Sequence, residues 1–313
     1  MLAALAANLA IAATKFVAFA ITGSASMLAE AAHSLADSGN QLLLLFGRAR
    51  AGRAQTEQHP FGFGAERYFY AFVVAVVLFT AGAVFSFYEA LHKLTHPAPI
   101  HSPLVAFVVL VAAIGAESLS LRTAVIQSNR ERATRSWLAF IRRAKAPELP
   151  AILLEDVAAL TGLMFALAGV ALTVVTGNGV WDGAGSLAIA VLLACVAALL
   201  AVEMKSLLIG ESASREVTRA IVAALADGPE VERVIHLRTM HMGPESLLIA
   251  AKIAVRHDET AAAIAAGIDA AERRVRAAVP IAELIYLEPD IYRAAAADVT
   301  DPAIRAARLR PKP

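Results

Sequence analysis

The sequence predicts a polytopic α-helical membrane protein with six transmembrane helices and a small cytoplasmic α+β domain at its C-terminal end. Three observations predict it. There are six apolar stretches of bilayer length, arginines gather in alternate links between them, and the sequence changes abruptly to an alternating, charge-bearing pattern after Gly210.

The apolar stretches run roughly from Leu2 to Ile21, Met27 to Phe46, Tyr68 to Leu91, Leu104 to Ile126, Ala151 to Val175 and Gly183 to Leu208. Each is near the ~20 residues that cross a hydrocarbon core. The first could be mistaken for a secretion signal ending at Gly23-Ser-Ala-Ser26. It has no basic residue before the apolar run, and Lys15 lies in its middle, so it reads as a retained span. The link after the second span carries Arg48, Arg50, Arg53 and Arg67. The link after the fourth carries Arg122, Arg130, Arg132, Arg135, Arg142, Arg143 and Lys145, whereas the three opposite links hold only Lys93. An even number of spans with this asymmetry places both termini in the cytoplasm, in a multi-pass protein of the bacterial inner (plasma) membrane.

After Gly210-Glu-Ser-Ala213 the chain reads as a helix over Arg215 to Ala226, strands over Val231 to His241 and Leu247 to Val255 around Gly243-Pro244, an amphipathic helix over Ala261 to Val279, and a last strand over Ala282 to Glu288. That order, αββαβ, suits helices covering one face of a short sheet. The expected organisation is a membrane domain over 1–210, a cytoplasmic α+β domain over 211–293 and a flexible tail over 294–313.

Composition removes several function classes. A hydrophobic fraction of 58%, charged residues at 18% and a mean hydropathy of +0.62 do not suit an ordinary soluble domain. A formal net charge of +1 gives no overall attraction to nucleic acid. The single cysteine, Cys195, excludes an intrachain disulfide framework and a cysteine-rich metal site. No internal repeat offers a clue.

Chemistry concentrates in the second and fifth spans. Glu30, His33 and Asp37 are spaced three and four apart, so they stack on one helical face inside an apolar stretch, and Glu155-Asp156 interrupts another. A central Asp costs about 2.5 to 3.5 kcal/mol on insertion scales unless it faces a partner, a cavity or an ion. His33 offers nitrogen and Asp37 oxygen one turn apart, a spacing at which one helix can hold an ion with two ligands. A carboxylate from the fifth span would make three. Glu155 and Asp156, adjacent and about 100° apart on a helix, are expected to send only one carboxylate directly at the ion. The bland alternative is a buried polar cluster that pins helices together. The gathering of ionisable groups on two spans favours an ion pathway instead.

The segments Gly23-Ser-Ala-Ser-Met-Leu-Ala-Glu-Ala-Ala-His-Ser-Leu-Ala-Asp37 with Asn40-Gln41, His59-Pro-Phe-Gly-Phe-Gly64 and Leu208-Ile-Gly-Glu-Ser212 together resemble the cation diffusion facilitator family. The Glu-Ala-Ala-His-Ser pattern, with Leu154-Glu-Asp-Val-Ala-Ala-Leu-Thr-Gly162, is most similar to the subgroup containing the mitochondrial zinc exporter of animals. The resemblance implies a proton-coupled exporter of divalent metal, chiefly zinc, working as a homodimer in membrane lipid with a ferredoxin-like cytoplasmic domain, residues 211–293, in the dimerisation role. It implies no enzyme activity and no resident cofactor. By position it places metal ligands on His33, Asp37 and Asp156, while the remaining fifth-span ligand falls on Ile152. Glu155, Glu30 or water is left to complete the site, with Glu155 favoured by adjacency. Glu30 is assigned an accessory role as staging ligand or proton acceptor. Asn40 is expected to line the cytoplasmic entrance or to bond helix to helix.

Proton coupling follows from ligand chemistry, because a metal ligand must be deprotonated and protonation expels the ion. An imidazole in water titrates near about 6.5, which singles out His33 for change near neutrality. Mixed nitrogen and carboxylate ligation suits zinc among several divalent metals.

Other groups read more blandly. His59 has Phe63 where a second histidine would be needed for a metal site in its link. His92, His96 and His101 fit solvated loop residues. Lys15 and Glu117 suit interhelical pairs. Among His236, His241, His257, Asp258 and Glu288 of the C-terminal domain no metal is expected. An intramembrane metalloenzyme is disfavoured, because Glu30-x-x-His33 has no second copy and His-Glu-x-x-His does not occur. A transport-inactive scaffold or sensor is the other alternative, and Ile152 is the feature that supports it.

Overall fold

Long apolar stretches without internal proline satisfy their backbone groups within themselves, and the first two thirds of the chain is accordingly helical. The computed structural model describes residues 2–97, 100, 102–132 and 134–292. Its helices are α1 (Leu2–Thr22), α2 (Ala25–Ala51), α3 (Glu66–Thr95), α4 (Pro103–Arg132), α5 (Trp137–Arg143), α6 (Glu148–Thr176) and α7 (Val180–Ile209). Among the described residues, α3, α4, α6 and α7 are long and apolar enough to cross a membrane. The described apolar part of α1 is the shorter Leu9–Thr22. The α2 helix has length, but Glu30, His33 and Asp37 dilute its apolar character.

Two compact units result, one from Met1–Arg50 and Glu66–Lys205, the other from Ala51–Ala65 and the chain from Ser206 onward. In the helical unit Met27, Leu78, Leu110, Leu163, Ile189, Leu193 and Leu200 form a buried core. The periphery is also apolar: Leu104 is 74% exposed and Val175 82%. A bundle apolar both inside and outside is suited to lipid.

Gly23, at φ 63°, turns α1 into α2 within two residues. At the start of α2, Ser24 Oγ accepts from Met27 N at 3.3 Å, and α7 supplies a second cap. Buried Asp182 accepts from Ser24 Oγ at 2.7 Å, Ala25 N at 2.7 Å and Ser26 N at 3.2 Å. Lys93 Nζ, 3.9 Å from Asp182 Oδ2, donates to Gly23 O at 2.8 Å. Asp182→Ala strands two backbone donors in apolar surroundings and should cost about 2 kcal/mol or more. Asp182→Asn, which keeps one acceptor oxygen, should cost less, and thermal unfolding in detergent measures both.

Within α3 the residues Leu78–Val84 form a π-helical stretch that continues into α-helix on either side. At the far end of α6, Gly177 adopts φ 67° and ends the helix in the left-handed conformation that glycine tolerates.

The second unit carries α8 (Arg215–Ala226), β1 (Arg233–Gly243), β2 (Ser246–Ala254), α9 (Ala261–Ala278) and β3 (Ala282–Asp290). Ser214 and Thr260 cap the two helices, accepting from Val217 N and Ala263 N. The sheet order is β1-β2-β3, with β1 antiparallel and β3 parallel to β2. Alternate residues Leu247, Ile249, Ala251 and Ile253 of β2 are buried with Ile221, Leu225, Ala271 and Val275 of the helices, as the two-residue period of a half-covered sheet requires. In the same unit the α2–α3 link packs on the β1–β2 turn. A Cβ added to Gly64 would lie 2.7 Å from Met242 O, so the backbones meet where only glycine fits. The stretch 294–313, expected as a flexible tail, lies outside the described residues.

Candidate metal site

On α2, the three-and-four spacing brings Glu30, His33 and Asp37 to one side, and Glu30 and His33 are fully buried. Their partners differ. Lys15 of α1, also fully buried, donates from Nζ to Glu30 Oε2 at 3.2 Å and to Ser34 Oγ at 2.6 Å. Glu30 is thus neutralised by an internal cation. The Lys15 pairing expected from sequence is present, and it draws Glu30 toward α1. On its other side Glu30 lies against α6, where a Cβ at Gly162 would sit 2.5 Å from Glu30 Oε1.

His33 has neither ring nitrogen hydrogen-bonded, and its Nε2 lies 3.5 Å from Asp37 Oδ2. Asp37 Oδ1 is buried without a hydrogen-bond partner as well. Buried imidazole and carboxylate atoms normally find partners, and an ion would supply one here.

Asp37, Glu155 and Asp156 line one pocket, together with Ile11, Ser34, Gln41, Glu117 and Ile152. Both acidic residues of the α6 pair therefore reach the pocket, whereas the helical angle between them suggested only one. The pocket's walls come from α1, α2, α4 and α6. Asn40 Nδ2 donates to Glu155 Oε1 at 2.9 Å, so Asn40 acts as a bond between α2 and α6. Ser120 Oγ of α4 donates to Asp156 Oδ2 at 3.1 Å. His33 and Glu30 are not among the lining residues. Among the described residues no three His, Cys, Asp or Glu side chains already stand close enough to grip one ion together.

Ile152 faces the same pocket and brings no donor atom. Glu117 was the residue the sequence reading undervalued. It lines the pocket from α4, and the Lys15 ammonium of α1 attracts it. The available signal was an acidic residue in the middle of α4, an otherwise apolar helix.

The remaining candidates are engaged elsewhere. His59 packs its ring on Phe63, with centroids 4.6 Å apart. His92 and His96 stack at 5.3 Å, and His101 lies outside the described residues. In the second unit Lys252 Nζ binds Glu288 at 2.9 Å and Asp290 at 3.3 Å. Arg256 grips Asp258 through two nitrogens and holds its carboxyl below the usual range.

Comparison with known proteins agrees with this architecture. Residues 1–209 match the cation efflux transmembrane domain. The chain is 33% identical over 241 residues to the Xenopus laevis mitochondrial proton-coupled zinc antiporter SLC30A9, covering 76% of this chain and 43% of that protein. It is 34% identical over 231 residues to the Homo sapiens protein of the same name, covering 73% and 41%. It is 29% identical over 242 residues to metal tolerance protein C4 of Arabidopsis thaliana, covering 76% and 53%. The chain thus spans about half the length of the curated relatives it matches. A domain match over two thirds of the sequence, with a multi-pass helical unit built around buried acidic and histidine side chains, makes this chain a member of the cation efflux, or cation diffusion facilitator, family of transporters.

Proposed function

We propose that this protein exports divalent metal, zinc foremost, from the cytoplasm in exchange for protons. The observation that carries the reading is the convergence of Asp37, Glu155 and Asp156 on one pocket, with the unbonded imidazole of His33 beside Asp37. Nitrogen and carboxylate donors suit zinc. The names of the relatives, a proton-coupled zinc antiporter and a metal tolerance protein, support the same substrate.

In this reading His33, Asp37 and Asp156 bind the ion as deprotonated ligands, and Glu155 stands beside them under the hold of Asn40. Protons arriving on the release side compete for the same lone pairs and discharge the metal. Glu30, already paired with Lys15, serves as an accessory group.

The proposed topology has six spans, α1 to α4, α6 and α7, with both termini on the arginine-rich cytoplasmic side of a bacterial inner membrane. α2 is polar for a solitary span and is carried by packing within the bundle. The αββαβ unit, ferredoxin-like in element order, holds a homodimer together, and 1–210 and 211–293 are the functional domains.

Proteoliposomes with a zinc-sensitive dye inside test the exchange. An acid lumen should drive zinc inward well above the rate without a gradient, and zinc entry should in turn release protons from the lumen. Zinc flux indifferent to the gradient would contradict antiport. No flux for any divalent ion tried would favour the scaffold reading that Ile152 supports.

A further inference from the structure

Two of the pocket's acidic residues are already held in place. Asn40 holds Glu155 and Ser120 holds Asp156, while Glu30 outside the pocket is held by Lys15. Glu117 is different. It lines the pocket from α4 and has no hydrogen bond or ion pair to any described residue.

Its position on α4 is fixed by Ser120. Residues three apart share a helical face, so the bond from Ser120 to Asp156 sets that face of α4 against the acidic end of the pocket. Opposite, α6 offers Ile152, a side chain with no lone pair. The Lys15 ammonium of α1 attracts the half-buried Glu117 carboxylate and offsets part of its desolvation cost, and no hydrogen bond offsets the rest. A second observation pointing to a cation comes from a histidine. His33 is fully buried, its two ring nitrogens have no hydrogen-bond partner, and one of them is directed to within 3.5 Å of pocket-lining Asp37.

We propose that Glu117 contacts the transported metal, supplying from α4 the oxygen ligand that Ile152 on α6 does not. The inference rests on the metal-site reading above and deepens it. The ion is then gathered from three helices: His33 and Asp37 on α2, Asp156 on α6 and Glu117 on α4. Glu155, with one oxygen bound to Asn40, keeps α2 and α6 in register. The ligand is a divalent cation that accepts mixed nitrogen and oxygen donors.

The experiment measures zinc binding by calorimetry, with zinc chloride alone as titrant, on the purified full chain, alongside dye-reported flux in proteoliposomes. The variants are Glu117→Gln, Asp37→Ala, Asp156→Ala and the double Glu117→Gln/Ile152→His. Glu117→Gln should weaken zinc binding by at least ~10–100-fold, the range lost even when groups behind the ligands are removed. Installing a nitrogen ligand at 152 in that background should recover part of the loss, which a residue important only for packing would not allow.

Wild-type affinity and flux in Glu117→Gln, while Asp37→Ala and Asp156→Ala lose both, would overturn the role of Glu117 and leave the site standing. Unchanged binding in Asp37→Ala and Asp156→Ala would overturn the site and this proposal with it. If Glu117→Gln fails to fold, Glu117→Leu, which leaves no polar group to satisfy in the span, is judged by the same affinity criterion.

Discussion

Asp37→Ala and Asp156→Ala should each cut gradient-driven zinc flux by at least about 100-fold while leaving the folded protein in the membrane. The two residues stand on different helices and line one pocket, so each removes an oxygen that the other cannot replace. Even groups standing behind metal ligands are worth 10–100-fold in affinity, and a ligand itself is worth more. The variants should also separate in stability. Asp156 is hydrogen-bonded by Ser120, and its loss leaves a hydroxyl that can turn back to its own helix; Asp37 Oδ1 has no hydrogen bond to lose. Flux in reconstituted vesicles and zinc calorimetry on the same preparations check both statements. Equal flux in wild type and both variants would sink the proposed site.

Lys15→Met should be the most destabilising single change in the helical unit. Lys15 and Glu30 are both completely buried, and the ammonium is the only cation that contacts that carboxylate among the described residues. Removing one partner of a buried pair leaves an uncompensated charge, a loss of about 3–5 kcal/mol. The double variant Lys15→Met/Glu30→Gln removes both charges and should recover most of the stability, because the pair is worth far less than the damage of breaking it. Unfolding in mixed micelles gives the four corners of the cycle. A double variant as unstable as Lys15→Met alone would show that Lys15 matters through packing along its aliphatic stem rather than through charge.

Much of this architecture is legible in the sequence, for reasons specific to each segment. The apolar run from Ala151 to Val175 can only be a helix in hydrocarbon, and α6 covers it as Glu148–Thr176. In the second unit the Ser214 and Thr260 caps and the alternation along Leu247 to Ile253 mark two helices and a strand within a residue or two. The short helix Trp137–Arg143 is hidden, because its arginines also read as a topological signal for a polar link. At the candidate site, the spacing of Glu30, His33 and Asp37 identifies a shared face but not who meets whom. Lys15 lies fifteen residues from Glu30, and Asn40 lies 115 from Glu155, so both contacts are products of tertiary packing. Glu117 escaped for the same reason: a single acidic residue on a helix with no periodic polar face gives no direction.

The π-helical stretch Leu78–Val84 acts as a phase shifter in α3. Before it, Tyr68, Ala71 and Val74 are buried; after it, Ser86, Ala90 and Lys93 are. Deleting one residue in this stretch would let an α-helix close, rotating everything downstream by about 100°. Lys93 would then swing off the axis that points it at Gly23 O and Asp182. The angular setting of the Lys93 end of α3, and with it the anchorage of the start of α2, is therefore written a few turns away, in the π-helical stretch.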